Sequence, residues 1–311
     1  MKVLFIDSTH ECIARNFKNA GWKVGIHYTT SREELLGLVH SYDGIIIRSR
    51  FRLDEKFLRN AKKLQFIGRP GAGLENIDLE YCKKRNIEVF RSPEGNRDAV
   101  AEHTLGMILM MLNNLKRADA EVREGYWKRE ANRGHELMGK TFGIIGYGYM
   151  GKAVAQRLKG FGVEVITYDK YLTNYSDENA KEVSLVELQK RSDFISLHLP
   201  QSEENMGYLN ADFINNCKKP FYLINTARGK SVVTKDVLTA IENGQIIGAC
   251  LDVLEFEESS FESAVNSDPV FQELVNSDKV LLTPHIAGWT HEAEFKMGDF
   301  LSKKILAHFN G

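Results

Sequence analysis

The chain has 311 residues, 43% of them hydrophobic and 27% charged, with only six prolines, so it is a folded protein long enough for two domains and neither disordered nor fibrous. The 41 Lys and Arg against 42 Asp and Glu give a formal charge of -1, which excludes a global positive field of the kind that attracts nucleic acid or anionic lipid. Residues 3–6 are too short an apolar run for a secretory signal, and the longest run, 105–112, is less than half a bilayer span, so a cytoplasmic protein without membrane segments is expected.

Residues 3–6, 23–26, 44–47, 64–67 and 87–90 read as strands, with helical patterns near 11–20, 54–61 and 78–85 between them. Apolar strands alternating with helices imply βαβ units and a parallel sheet covered on both faces, here a flavodoxin-like first domain. Residues 100–115 form one long helical pattern, apolar nearly all round and including Met107, Met110 and Met111. Such a helix is either a core helix or a subunit interface. Six further strands at 142–145, 164–168, 194–197, 222–225, 246–251 and 280–283 match a doubly wound dinucleotide fold. The last helix, 292–309, is expected to pack back on the first domain. The expected architecture is therefore α/β with two doubly wound parallel-sheet domains. Residues 1–98 and 287–311 form a flavodoxin-like substrate domain, and 99–286 form an inserted Rossmann domain.

The strongest local signal is Gly146-Tyr147-Gly148-Tyr149-Met150-Gly151, which follows a strand and opens a helix. The first glycine makes the tight turn, the second admits a pyrophosphate to the backbone, and the third allows close helix packing, while the helix N-terminus supplies N–H groups and partial positive charge. Asp169 lies 18 residues beyond Gly151, near the interval expected of an acid that binds ribose hydroxyls and repels a 2'-phosphate. NAD is thus expected over NADP, although the neighbouring Lys170 leaves the choice open. A glycine turn with an incidental capping aspartate is the plainer alternative.

Three loops leave strands on what should be the carboxyl edge of the second sheet, where ligands bind in open α/β folds. They carry Arg228, then Asp252 with Glu255 and Glu257, and then His285. A guanidinium binds a carboxylate in bidentate fashion, and an imidazole moves a proton near neutral pH, which are the two needs of hydride transfer from a 2-hydroxy acid. A carboxylate on the other ring nitrogen would orient that imidazole. Singly, each residue is more often a surface charge or a satisfied polar group. Cys12, Cys82, Cys217 and Cys250 form no C-x-x-C pair and read as buried thiols, and no two histidines share an H-x-x-x-H face, so no metal site is expected.

Residues 69–78 (RPGAGLENID), 96–104 (NRDAVAEHT), 146–151, 198–200 (HLP), 225–229 (NTARG), 249–253 and 283–288 (TPHIAG) together resemble the D-isomer-specific 2-hydroxyacid dehydrogenases, over essentially the whole chain. The resemblance implies that Arg228 holds the substrate, that His285 is the acid/base, and that a glutamate after Asp252 pairs with it. Glu257 fits the family's five-residue spacing, and Glu255 is the alternative because the family's Glu-Pro is absent here and an acidic loop follows. The resemblance places Asp252 near the nicotinamide carboxamide and adds His198, Pro200, Thr226, Ala227, His285 and Gly288 to the cofactor set. Ala72 and Gly73 would offer N–H groups to the substrate carboxylate, and the 100–115 helix would help form a homodimer.

Arg48-Ser49-Arg50 and Asn96 look like the phosphate-binding positions of the family branch that oxidises D-3-phosphoglycerate to 3-phosphooxypyruvate, the opening step of serine biosynthesis. Surface arginines without a ligand are the alternative. Only 26 residues follow His285, so an appended regulatory domain and feedback through it are not expected. Glyoxylate or hydroxypyruvate reduction is the fallback activity, and a non-catalytic NAD-sensing scaffold is the reading from another class.

Overall fold

The computed structural model describes residues 1–257 and 268–310. Among them two compact units separate at Arg97/Asp98 and at Gly288/Trp289. In the first unit, β1 (Lys2–Phe5), β2 (Lys23–Ile26), β3 (Gly44–Ile46), β4 (Phe66–Arg69) and β5 (Glu88–Arg91) form an all-parallel sheet in the order β2-β1-β3-β4-β5. That order is flavodoxin-like. Val3, Leu4 and Phe5 are wholly buried, as a strand covered on both faces requires. The final helix, His291–Asn310, belongs to this unit and buries Leu301 and Ile305 against Val3, Phe5, Phe17 and Phe66.

The second unit holds seven parallel strands rather than six. They are β6 (Thr141–Ile145), β7 (Glu164–Tyr168), β8 (Lys181–Glu182), β9 (Phe194–Leu197), β10 (Phe221–Asn225), β11 (Ile246–Leu251) and β12 (Val280–Leu282). Their order, β12-β11-β10-β9-β6-β7-β8, reverses between β6 and β9, the switch point at which such sheets bind dinucleotides. β8 adds the missing strand. It is two polar edge residues with no apolar run, which is why periodicity passes over it.

The long helix also needs correction. It spans Arg97–Leu112, and Asn114 in the left-handed region (φ 52°) breaks it from a second helix, Leu115–Arg123. Asparagine tolerates that conformation better than most side chains. Ala101, Leu105, Met107, Ile108 and Leu112 of the first helix pack with Phe142 and Ile144, so it is a core helix of this unit. The acidic loop expected beyond Glu257 falls on residues 258–267, outside those described.

Among the described residues no helix is long and apolar enough to cross a membrane. All four cysteines are buried and unpaired, and burial raises the thiols of Cys12 and Cys82 to about 11 and those of Cys217 and Cys250 to about 12. Leu301 is fully buried, so Leu301→Ala should destabilise the first unit by about 2–5 kcal/mol, read by calorimetry as a lowered midpoint for that unit's transition alone. An unchanged thermogram would contradict the assignment of this helix to that core.

Candidate active site

β10, β11 and β12 are neighbours, so the loops leaving their carboxyl ends stand side by side. Arg228 follows β10, where its Nη1 donates to the Ala227 carbonyl at 2.7 Å and Asn225 Nδ2 donates to its own carbonyl at 2.9 Å. Gly229 comes next. A Cβ there would lie 2.0 Å from the Leu254 carbonyl oxygen, so glycine lets the arginine loop press directly onto the backbone after β11.

Asp252 ends β11 with 1% exposure. Its Oδ1 accepts from Thr283 Oγ1 (2.6 Å) and from the Ile286 N–H (2.9 Å), and its Oδ2 accepts from the Ala287 N–H (2.8 Å). The His285 N–H donates to the Asp252 carbonyl at 2.8 Å. Held on both sides, His285 adopts a left-handed φ of 55°, a strained conformation for a non-glycine residue that is retained only where the surroundings dictate it.

The imidazole Nδ1 lies 2.6 Å from Glu257 Oε2. Glu257 Oε1 also accepts from the Leu254 N–H. Glu255 is engaged elsewhere, accepting from the Thr234 N–H at 2.8 Å at the start of the helix Thr234–Glu242. Of the two candidate carboxylates, Glu257 is therefore the one that meets the histidine.

At the other end of the sheet edge, Gly146 has φ 92°, and a Cβ there would lie 2.6 Å from the His198 carbonyl oxygen. A Cβ on Gly151 would lie 2.1 Å from the Gly146 carbonyl oxygen, so this glycine seats the helix Tyr149–Leu158 on the turn itself. Asp169 Oδ2 accepts from the Tyr147 N–H at 2.8 Å, and Oδ1 accepts from the N–H groups of Tyr171 (2.9 Å) and Leu172 (3.2 Å).

The model of the D-isomer specific 2-hydroxyacid dehydrogenase NAD binding domain matches residues 105–287. The chain belongs to the D-isomer-specific 2-hydroxyacid dehydrogenase family. Hydroxypyruvate reductase of Thermotoga maritima is 34% identical over 274 residues, covering 88% of this chain and 87% of that protein. D-3-phosphoglycerate dehydrogenase of Homo sapiens is 33% identical over 312 residues, covering 100% of this chain and 57% of that protein, so the chain spans little over half the length of such relatives. The crystal structure of D-lactate dehydrogenase from Aquifex aeolicus complexed with NAD and lactic acid superposes with a TM-score of 0.83 at 31% identity, covering 99% of this chain and 96% of that one.

The matched domain is an NAD-binding one, and the turn fits the pyrophosphate of that cofactor. A Cβ on Gly148 would have no atom within 4 Å, which leaves the approach to the exposed helix N-terminus open. The Tyr149 ring is half exposed beside it and Met150 is half-buried. Within the expected cofactor set Tyr147 differs from Tyr149 and Met150. Its side chain is wholly buried, with the hydroxyl donating to both oxygens of Asp177 at 2.9 Å, so it shapes the turn from within.

The Ala227 N–H donates to Asn225 Oδ1 at 3.1 Å, and Thr226 Oγ1 lies 3.0 Å from Thr104 Oγ1. Thr104 and His103, whose Nε2 lies 3.0 Å from Thr283 Oγ1, support this edge from more than a hundred positions away, a pairing that no local pattern in the sequence marks. Pro200 accepts from Asn205 Nδ2 at 2.9 Å, and Gly288 closes the unit. Among the described residues no group of three or more His, Cys, Asp or Glu is placed to hold a metal ion.

The remaining expected residues lie in the first unit. Ala72 and Gly73 follow β4, where Arg91 Nη1 donates to the Ala72 carbonyl at 3.1 Å and the Gly71 N–H donates to Ser92 Oγ at 3.1 Å. Asn96 is half-buried after β5. The N–H groups of Arg48, Ser49 and Arg50 all donate to Asp7 Oδ2, at 3.1, 2.7 and 3.0 Å. Arg50 does not remain for a phosphate, because its guanidinium donates to the carbonyls of Ile6, His27 and Thr30. The Arg48 guanidinium lies over the Trp289 ring, 4.5 Å from its centroid.

His198 Nε2 lies 2.9 Å from Ser196 Oγ, and burial pushes the imidazole down to about 4. The folded chain thus keeps the ring neutral where an unfolded chain, at about 6.5, takes up a proton, so stability is lost as pH falls from about 6.5 toward 4. The loss from this one group should be about 1–3 kcal/mol. His198→Gln should remove that part of the acid dependence, measured as melting temperature against pH. Identical slopes for both proteins would contradict it.

Proposed function

We propose that this protein is an NAD-dependent dehydrogenase that oxidises D-3-phosphoglycerate to 3-phosphooxypyruvate. The observation that carries an acid–base dehydrogenase is the 2.6 Å contact between His285 Nδ1 and Glu257 on the same sheet edge as Arg228. With Nδ1 engaged, Nε2 is the ring atom that takes the substrate hydroxyl proton on oxidation and returns it on reduction. Glu257 orients the ring and stabilises its cation. Arg228 binds the substrate carboxylate and polarises the carbonyl. NAD held at the Gly146–Gly151 turn would supply the hydride acceptor.

Arg48 is the group proposed to meet the phosphate, with its guanidinium already over the Trp289 ring. Reduction of hydroxypyruvate or glyoxylate is the second reading, favoured by the name of the Thermotoga maritima relative and by the internal use of Arg50. A homodimer is proposed from the exposed Leu115, Val122, Tyr126 and Trp127, which lie on and just after the helix Leu115–Arg123. Sedimentation should give twice the chain mass, and Trp127→Glu should shift it toward one chain. A wild-type protein that sediments as one chain would contradict the dimer.

NADH oxidation against 3-phosphooxypyruvate, hydroxypyruvate, glyoxylate and unphosphorylated 2-keto acids tests the substrate. The highest kcat/KM is expected for the phosphorylated acid, and Arg48→Ala should lower it about 10-fold or more for that acid alone. Equal weakening of every substrate would overturn the phosphate reading, and NAD binding without turnover would favour a scaffold. Glu257→Gln should lower kcat about 10- to 1000-fold and move the acid–base limb of the pH profile, and an unaltered profile would remove Glu257 from the mechanism.

A further inference from the structure

Lys170 directly follows Asp169, a position from which a cation can pair with a 2'-phosphate. Its Nζ lies 2.6 Å from Glu204 Oε2, and the Tyr171 hydroxyl donates to the other oxygen of the same carboxylate. Lys170 and Tyr171 belong to the loop after β7, and Glu204 belongs to the turn Glu203–Asn205 after β9. β7 and β9 flank β6 on opposite sides, so the two loops meet across the glycine turn that β6 feeds.

Both halves of this contact are anchored from below. The Tyr171 and Leu172 N–H groups are held by Asp169 Oδ1, and buried Asn205 donates to the Pro200 carbonyl. The hydrogen bonds from Lys170 and Tyr171 hold the Glu204 carboxyl below the usual carboxylate range, and Glu204 in turn raises the Lys170 ammonium.

We propose that Glu204 is a cofactor-specificity residue. It occupies Lys170 and Tyr171, which would otherwise receive the 2'-phosphate of NADP. Asp169 alone leaves a lysine next to the ribose. With Glu204 the same rim carries a neutralised pair and one uncompensated acid. The inference rests on the NAD assignment and extends it to a residue 35 positions away from Asp169.

The test is the dissociation constant of NAD+ and of NADP+ for the whole chain, by titration calorimetry, in wild type, Glu204→Gln, Lys170→Ala and the double variant. Exposed ion pairs are weak and screened, so Glu204→Gln should tighten NADP+ by about 3- to 10-fold while NAD+ changes less than about twofold. Because the gain comes from releasing Lys170, it should vanish in the double variant and shrink in high salt. An equal change for both cofactors, or a gain that survives loss of Lys170, would overturn the role of Glu204 alone. A wild-type protein that binds neither cofactor would overturn the NAD assignment with it.

Discussion

Asp252 holds a carboxylate inside the second unit, and a buried charge is tolerated only when it is well hydrogen-bonded. Here the hydroxyl of Thr283 and the N–H groups of Ile286 and Ala287 meet it, all from one short loop. The carboxylate thereby dictates the path of the chain around His285. Without it, the Ala287 N–H would lose its acceptor in the interior, at a cost of about 1–3 kcal/mol. The left-handed backbone of His285, which costs about 1–2 kcal/mol, is held by the same bonds. The imidazole is placed by its backbone before Glu257 touches it.

One chemical group serves several ends in this protein, and its surroundings decide which. Asp252 is sealed and organises a loop, while Glu257 reaches an imidazole. Asp169 binds backbone from both the glycine turn and its own loop, so the turn and the ribose-binding acid of the proposed site move as one piece. Glu255, two residues from Glu257, is spent on a helix N-terminus, where an anion is favoured. Sequence proximity alone does not separate these roles.

What could be read in advance was local. The glycine turn with Asp169, the strand-loop positions of Arg228, Asp252 and His285, and both sheet types follow from spacing and apolar alternation, and the structure arranges them accordingly. What could not be read joins distant residues or breaks a local rule. Thr104 meets Thr226 across 122 positions, β8 has no apolar signal, and Asn114 ends a helix whose pattern runs on. Tyr147 sits inside the motif, yet its ring turns inward because Asp177 lies there to receive it. In the Arg48-Ser49-Arg50 run the backbone N–H groups converge on Asp7, about forty positions earlier in the chain, a pairing that no local pattern marks.

That last arrangement reaches beyond the question of which acid is bound. Three successive N–H groups converging on one oxygen form an anion nest, and such nests in other proteins are completed by a phosphate or a cluster. Here the guest is built in. The turn is held by an acceptor of the same chain, and the conformational entropy of ordering it is lost once, during folding, rather than when a ligand arrives. Any molecule that docks beside Arg48 meets a rigid, internally neutralised platform and must be recognised by the guanidinium and the indole beneath it.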